Sequence, residues 1–401
     1  MNLKKSIPNA ILLLCSIALC LVLVELLLRI ALPALPMKLH AYINPGIRPL
    51  VQPTKKGVLP HDYIALLGDS YSLGDGDERR NASKNRNHYF NPAQYLHDKT
   101  GMDVVTFGRP GAGSLRGIVE QPIPIYEYAN STLLYSLERP RHFFVLFYEG
   151  NDLDNNINNI TALFSPTHPG AFNFADTEGF RKFITEKVIG EDPVHMQTAA
   201  PKMSKFLVTS FISDVVKNFT IKKNAADSDD ETTNKQLVAD GVNRALVGGR
   251  EVTLLGGLQG PSMELTPEES RIAVYVFEQA LRYSMSYFDG VGFTVVFLPS
   301  VASSYKFVSP VVSVQRYHQE RPGEHIHPAS AVAERSDWVA SEIRTASERA
   351  GAEFIDARPE VRQASASALI HGPLDWKHYN RIGYTAISDA IMTSEFFNTP
   401  H

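Results

Sequence analysis

The sequence predicts a doubly wound α/β fold, in which helices cover both faces of a mainly parallel five-stranded sheet and form three layers. Two observations support this prediction. Short apolar runs typical of buried strands recur along the chain, and helical patterns separate them. The expected strands, in chain order, are 63–67, 103–107, 142–147, 293–298 and 353–356.

The strand signals are runs that stay apolar over most of their length. The first, Tyr63 to Leu67, reads Tyr-Ile-Ala-Leu-Leu and ends on a polar Gly-Asp-Ser corner. The third, His142 to Phe147, reads His-Phe-Phe-Val-Leu-Phe. Continuous runs of this kind are typical of strands that are buried on both faces, as in a parallel sheet.

Helical patterns fall between the strands. A short helix is expected from Pro92 to Lys99. The residues from Thr266 to Glu269 read Thr-Pro-Glu-Glu, which predicts a capping box with proline at the first helical position. A closing helix is expected over 383–392, with Ala386, Ile387, Ala390 and Ile391 on its inner side.

Composition excludes several classes of protein. The chain has 401 residues, of which 44% are apolar and 20% are charged, as in a globular protein. Its net charge of −4 is small and is not gathered into basic clusters, so no nucleic-acid partner is expected. Its two cysteines, Cys15 and Cys20, lie in the N-terminal apolar run, so the rest of the chain has neither disulfides nor thiolate metal ligands.

The N-terminus predicts a membrane segment. Residues 10–32 are apolar and long enough to span a bilayer if Glu25 and Arg29 pair one helical turn apart near the far interface. Residues 1–9 carry Lys4 and Lys5 and are expected to form a cytoplasmic tail. A cleaved signal peptide is the rival interpretation, but no clear Ala-x-Ala site follows. The proline-rich stretch 33–60 is expected to be an extended tether to an extracytoplasmic domain over 61–401.

The stretch from about 155 to 265 is longer than an ordinary connection in such a fold. It is expected to be an inserted cap that shapes a binding site. Its polar tract, 224–234, is acidic, but it lacks the spacing of a calcium-binding loop and is expected to be solvated.

Four short motifs place reactive residue types where chemistry is expected. Acyl transfer needs a nucleophile, a base and a group that orients the base. Ser70, at the end of the first strand, is the candidate nucleophile; His378 is the base, and Asp375, three residues earlier, orients it. The candidate oxyanion donors are the backbone N–H groups of Ser70 and Gly111 and the side-chain amide of Asn151.

The chain resembles the SGNH (GDSL) hydrolase family from about 61 to 397, outside the insertion. The resemblance rests on four motifs in the family's order: Gly68-Asp69-Ser70, Gly108-Arg109-Pro110-Gly111, Gly150-Asn151-Asp152 and Asp375-Trp376-Lys377-His378. It implies a flavodoxin-like sheet and the same catalytic and oxyanion-hole assignments. Phe107 stands where many members carry Asn, and Tyr71-Ser72 replaces Ser-Leu; neither change removes a catalytic atom.

The expectation is a membrane-anchored, extracytoplasmic serine esterase that cleaves acyl esters, chiefly O-acetyl esters, through an acyl-Ser70 intermediate. Resemblance and location imply a small acyl ester or an O-acylated envelope glycan as substrate, with no cofactor and no metal. An O-acyltransferase that acetylates an envelope or exported polysaccharide would use the same residues and implies a membrane acyltransferase as partner. A non-catalytic glycan-binding scaffold is the hypothesis from another class, and the intact Ser70, Asp375 and His378 count against it.

Each motif also has a purely structural interpretation. Gly-Asp-Ser is a common turn composition, and Gly108 and Gly111 permit a tight bend. The joint occurrence of the four motifs in one order favours a catalytic site. Among the other histidines, His371 is close enough in sequence to contact the site, while His61, His88, His142 and His327 are expected to be structural or exposed.

Overall fold

The structure is a computed structural model that describes residues 3–43, 45–81, 91–130, 136–164, 176–189, 207–208, 241–315 and 324–399. These residues form two compact units. One comprises the described residues within 1–51, 124–137 and 197–230, and the other comprises those within 52–123, 138–196 and 231–401.

The strands of the described residues are, in chain order, β1 (Ile64–Leu67), β2 (Val104–Thr106), β3 (His142–Tyr148), β4 (Arg244–Val247), β5 (Arg250–Thr253), β6 (Leu258–Gln259), β7 (Gly292–Leu298), β8 (Val311–Gln315), β9 (Glu324–Pro328) and β10 (Glu353–Asp356). Five of them form the main sheet in the order β2-β1-β3-β7-β10, and every pair is parallel. Numbered along the chain, this order is 2-1-3-4-5, the flavodoxin-like arrangement. The predicted fold class is confirmed, and each predicted strand lies within one residue of its observed bounds.

The helices of the described residues are, in chain order, α1 (Leu3–Ala31), α2 (Met37–Ile43), α3 (Ser70–Leu73), α4 (Asp77–Asn81), α5 (Pro92–Thr100), α6 (Pro122–Asn130), α7 (Asp152–Phe164), α8 (Thr177–Phe183), α9 (Pro267–Tyr287), α10 (Val301–Ser304), α11 (Ala329–Ala350), α12 (Arg358–Ser367), α13 (Arg381–Ile391) and α14 (Glu395–Asn398). The predicted capping box is present at the start of α9: the Thr266 hydroxyl accepts from the Glu269 N–H, and the Glu269 carboxylate accepts from the Thr266 N–H.

Helices pack on both faces of the main sheet. On one face α5, α12 and α13 pack together, and their apolar side chains join a buried cluster with Leu66 and Leu146. On the other face α7, α9 and α11 pack together, and Phe277 of α9 meets Phe147 of β3 with ring centroids 5.1 Å apart. All seven residues of β3 are buried, which explains why its sequence is apolar at nearly every position.

Two small sheets lie outside the five predicted strands. β4 and β5 form an antiparallel hairpin whose turn, Gly248-Gly249, has positive φ at both positions, as a type I′ turn requires. β6 pairs parallel with β8, which pairs antiparallel with β9. The buried residues Ala245, Leu254 and Leu258 join the same cluster as Leu66, so the last part of the predicted insertion belongs to the core of its unit.

The rest of the insertion is described in part. Residues 155–164 continue α7, and 176–189 form α8 and a π-helical segment, Ile184–Ile189. The polar tract 224–234 lies outside the described residues. The role of the insertion as a cap therefore stays a prediction.

The N-terminal unit begins with α1, in which Leu12–Ala31 has a mean hydropathy of 2.5 and is almost entirely exposed. By length and composition this helix can cross a membrane or serve as a signal sequence. The expected pair of Glu25 and Arg29 is present at 2.8 Å. The Glu25 carboxylate also accepts from the backbone N–H groups of Leu207 and Val208, each at 3.0 Å.

The stretch 33–60 differs from the extended tether that its prolines predict. Within the N-terminal unit it contains α2 and a 3₁₀ segment, Pro45–Val51, and the His40 ring lies 2.7 Å from the Tyr128 hydroxyl. Within the second unit, the Gln52 amide hydrogen-bonds in both directions with the backbone of Thr106 at the end of β2. Local burial and hydrogen bonding order the segment, which composition alone does not reveal.

Candidate active site

The candidate nucleophile stands on a tight turn between β1 and α3. Gly68 has φ +133°, and a Cβ there would approach the Leu146 carbonyl oxygen to 2.6 Å, so only glycine fits. Asp69 caps α3 by accepting from the Tyr71 N–H at 2.9 Å. Ser70 is the first residue of α3 and is 5% exposed.

The turn lies at the topological switch point of the sheet. β1 lies between β2 and β3 in the sheet. From β1 the chain first enters β2 on one side of β1, and it then crosses to β3 on the other side, where β7 and β10 follow. Ser70 follows β1, Gly111 follows β2 and Asn151 follows β3, all at carboxyl ends. Ligands of open α/β sheets bind in the crevice at this position.

A continuous hydrogen-bonded chain joins Ser70, His378 and Asp375. The Ser70 Oγ lies 2.9 Å from His378 Nε2, and His378 Nδ1 lies 2.9 Å from Asp375 Oδ2. A proton on Nδ1, donated to the carboxylate, leaves Nε2 as the acceptor for the serine hydroxyl. The structure thus brings together three residues that are up to 308 positions apart in the chain.

The Asp375 carboxylate is held in place from several sides. Its Oδ1 accepts from the backbone N–H of Lys377 at 2.9 Å and of His378 at 3.1 Å, and Arg80 Nε lies 3.2 Å from Oδ2. The Asp375 N–H in turn donates to Asp77 Oδ1 at 2.6 Å. Burial alone would raise the pKa of Asp375, but hydrogen bonds and the charges of His378 and Arg80 hold this pKa well below its usual range.

The residues that carry the candidate oxyanion donors, Ser70, Gly111 and Asn151, line one pocket. Gly111 has φ +68°, a left-handed conformation that favours glycine, although a Cβ there would meet nothing within 4 Å. Asn151 is 4% exposed, and its Nδ2 donates one hydrogen to Asp69 Oδ2 at 2.9 Å. This bond fixes the orientation of the Asn151 amide at the carboxyl end of β3.

Two carboxyl groups lie buried behind this site. Burial raises the pKa of Asp69 to about 6, against the opposing hydrogen bonds from Tyr71 and Asn151. Burial, followed by the charge of Asp69, raises the pKa of Asp152 well above its usual range. Asp152 Oδ2 accepts from the Tyr148 N–H at 2.8 Å and so fixes the end of β3 that carries Asn151.

The pocket itself has a volume of about 240 Å³. Its lining combines candidate catalytic residues with side chains from elsewhere in the fold. The lining residues are Ser70, Tyr71, Asp75, Pro110, Gly111, Gly150, Asn151, Gln259, Gln315, Lys377 and His378.

Two stacked tyrosines support Gln259, which lines the pocket. The rings of Tyr71 and Tyr148 stack with centroids 3.8 Å apart. The Tyr148 hydroxyl donates to Gln259 Oε1 at 2.8 Å, and the Tyr71 hydroxyl lies 3.0 Å from the same oxygen and 2.6 Å from the Lys377 carbonyl oxygen. These contacts direct the amide oxygen of Gln259 toward the tyrosines.

His371 lies behind the loop that carries Asp375 and His378. It is completely buried, its Nδ1 lies 3.1 Å from the Tyr305 hydroxyl, and its ring packs on Tyr379. Burial lowers the pKa of His371 to about 3, so the ring is neutral. Of the other histidines, His142 is buried and lies 2.7 Å from the Thr294 hydroxyl, His61 is exposed beside Glu138, and His88 lies outside the described residues.

The sequence alone did not predict the residues that support the candidate catalytic residues or complete the pocket lining. Arg80 and Asp77 support Asp375 from α4, which starts only four residues after α3 ends, and the charge run Asp-Glu-Arg-Arg was the available signal. Gln259 and Gln315 come from the small sheet of β6, β8 and β9, and no local pattern marks them. Among the described residues no group of three or more His, Cys, Asp or Glu side chains could hold a metal ion.

No protein-family model matches the chain, and no curated protein sequence matches it. Solved structures that are similar to it include an extracellular lipase from Streptomyces rimosus, with a TM-score of 0.37 and 12% identity over 82% of this chain and 98% of that one. Phospholipase A1 from Streptomyces albidoflavus gives a TM-score of 0.35 and 12% identity over 82% and 98% of the two chains. LAE5, an α/β hydrolase from the metagenome of Lake Arreo, gives 0.33 and 12% over 84% and 96%. Similarity of this degree assigns no activity to the chain.

Proposed function

We propose that this protein is a serine ester hydrolase of the SGNH type, which cleaves acyl esters through a covalent acyl-Ser70 intermediate. The observation that carries the proposal is the chain of 2.9 Å contacts from Ser70 Oγ through the His378 ring to Asp375, placed on a pocket at the switch point of the sheet. A turn with a merely structural role has no need for an imidazole in this orientation.

In the first step Ser70 Oγ attacks the ester carbonyl carbon while its proton passes to His378 Nε2. The imidazolium that forms is stabilised by Asp375, which stays ionised because its pKa is well below the usual range. The carbonyl oxygen becomes an oxyanion that accepts from the N–H groups of Ser70 and Gly111 and from Asn151 Nδ2. The tetrahedral intermediate then expels the alcohol, which takes the proton from Nε2.

In the second step a water molecule replaces the alcohol. It gives one proton to His378 Nε2 and attacks the acyl carbon, and a second tetrahedral intermediate forms at the same donors. When this intermediate collapses, the carboxylic acid leaves and the proton on Nε2 returns to Ser70 Oγ. An O-acyltransferase would use a sugar hydroxyl in place of this water.

The proposed cellular setting follows from the N-terminus. The apolar part of α1 would anchor the chain, with the tail 1–9 in the cytoplasm and the domain 61–401 outside it. Acyl esters of envelope glycans would then be within reach of the pocket. The accessibility of a C-terminal tag to added protease tests this topology. We expect the tag to be degraded in cells whose outer envelope is permeabilised while the cytoplasmic membrane stays intact.

The proposal is tested with the full-length chain in nonionic detergent. We expect turnover of p-nitrophenyl acetate and labelling by a fluorophosphonate probe, which reacts only with an activated serine. Ser70→Ala should abolish both signals, while Ser72→Ala serves as the control for loss of a nearby hydroxyl. Unchanged turnover in Ser70→Ala would exclude the mechanism, and a folded wild-type protein that stays unlabelled would favour the scaffold.

A further inference from the structure

The pocket presents hydrogen-bond donors, apart from those of the candidate catalytic residues, that the protein does not use itself. Gln259 Oε1 is directed toward Tyr148 and Tyr71, so its Nε2 is the end of the amide left for a ligand. No hydrogen bond or ion pair engages the side chain of Lys377, Gln259 Nε2 or the Gln315 amide within the described part of the chain.

The backbone of Lys377 is fixed at both ends. Its N–H donates to Asp375 Oδ1 at 2.9 Å, and its carbonyl oxygen accepts from the Tyr71 hydroxyl at 2.6 Å. The residue lies between Asp375 and His378, and its half-buried side chain lines the pocket. A lysine whose backbone is held by hydrogen bonds loses less conformational freedom when it binds a ligand than a lysine on a mobile loop.

Lys377 is the only lysine or arginine among the described lining residues of the pocket. Asp75 is the only carboxylate among them, and it forms an ion pair with Arg79, which neutralises it. Lys377 has no such partner among the described residues. Its ammonium group is therefore the charge without an ionic partner in this lining, where it can attract an anionic ligand.

From this arrangement we propose that Lys377 and Gln259 form a subsite for an anionic, oxygen-rich alcohol, so that the preferred substrate is a small acyl ester of a negatively charged carrier. The pocket volume of about 240 Å³ suits a short acyl chain and one polar ring. Ammonium and amide donors both recognise oxygen acceptors, and only the ammonium adds charge selectivity. This inference rests on the proposed ester hydrolysis and names its substrate class.

The test uses two chromogenic esters that differ in charge, 4-acetoxy-3-nitrobenzoate and its neutral methyl ester, with the full-length chain in nonionic detergent. The quantity measured is the ratio of kcat/KM for the anionic ester to that for the neutral ester. The intrinsic reactivity of the two leaving groups differs, but this difference cancels when variants are compared. We expect Lys377→Met to lower the ratio about tenfold and Lys377→Arg to keep it, with Lys306→Met, at an exposed lysine outside the pocket, as control.

A second variant tests the other donor without removing bulk. Gln259→Glu keeps the acceptor oxygen for the tyrosines but places a carboxylate in the pocket, so it should also lower the ratio. In the wild type the ratio should fall when NaCl rises from 50 to 500 mM, because salt screens the attraction. A ratio that stays within twofold of wild type in both Lys377→Met and Gln259→Glu would overturn the subsite and leave ester hydrolysis standing. Absence of turnover of both esters by the wild type, together with no fluorophosphonate labelling, would overturn the proposed function itself.

Discussion

Two groups of residues at the pocket differ in how far the protein satisfies their polar atoms. In the first group, the His378 ring contacts both Ser70 and Asp375, and Asp77 and Arg80 hold Asp375 in place. In the second group, Gln259 Nε2 and the Lys377 ammonium have no partner among the described residues. Under the proposed function, the first group is arranged for reaction before a ligand binds, and the second group selects the ligand.

Variants in the two groups should therefore have different signatures. Changes in the first group should slow anionic and neutral esters equally, because both esters share the reacting carbonyl. Changes in the second group should alter the ratio of kcat/KM between the two esters.

The largest effect is expected for His378→Ala. Loss of the base should lower kcat for p-nitrophenyl acetate by about 10⁴-fold or more, since removing one member of such a triad removes most of its function. The anionic-to-neutral ratio should not change. The control is His61→Ala, at an exposed histidine paired with Glu138. A loss below tenfold, with folding confirmed by circular dichroism, would exclude His378 as the base.

Asn151→Ala should give the next largest effect. Removing one oxyanion donor typically lowers kcat by about 10²- to 10³-fold, or about 2.7–4 kcal/mol. The KM should change little, because the donor acts mainly on the charge that develops in the transition state. Steady-state kinetics of both esters, with the exposed Asn398→Ala as control, provide the measurement. A raised KM at constant kcat would instead indicate a role in ground-state binding.

Asp69 makes stability depend on pH. Its pKa is about 6 in the folded chain and close to 3.8 when unfolded, so the folded state binds the proton more tightly. Stability contributed by this group is therefore present below about pH 4 and is lost as the pH rises to about 6, by at most about 3 kcal/mol. Urea unfolding at pH 4 and pH 7 should show this loss in the wild type and a smaller one in Asp69→Asn. Equal pH dependence of the two proteins would show that the Asp69 pKa is not raised.

The smallest effect is expected for Asp77→Asn, which tests the support behind Asp375. An asparagine keeps one acceptor oxygen for the N–H groups of Leu374 and Asp375 but loses the charge, so kcat should fall about tenfold with KM unchanged. Asp98→Asn, on the exposed face of α5, is the matched control. If Asp77→Asn lowered kcat/KM for the anionic ester alone, the residue would belong to substrate selection, and the contrast between the two groups of residues would fail.

The fold was predictable because β1, β3 and β7 are buried along almost their whole length and are therefore almost continuously apolar. β3 is the clearest case, and its neighbours in the main sheet were placed within one residue. The strands β6, β8 and β9 were not predicted. β6 has only two residues, and β9 reads Glu-His-Ile-His-Pro, so neither has the apolar run that marks the strands of the main sheet.

The candidate site was predictable to the extent that each residue lies in a short motif at a strand end or near the C-terminus. Ser70, Gly111, Asn151, Asp375 and His378 could be named because the chemistry requires these residue types. Arg80 and Gln259 could not, since a charge run does not reveal which partner its arginine contacts, and a glutamine in a two-residue strand has no local signature. Their positions depend on contacts with residues 295 and 188 positions away.

The sequence by itself determined the fold class, the five strands of the main sheet, the apolar N-terminal helix and the candidate catalytic residues, because burial and turn geometry impose local patterns. Only the tertiary structure decided that Ser70 lies within hydrogen-bond distance of His378, and that Gln259 and Lys377 line the same pocket. The physical reason is that hydrogen bonds between distant segments depend on how helices and sheets pack. No spacing within one segment encodes that packing.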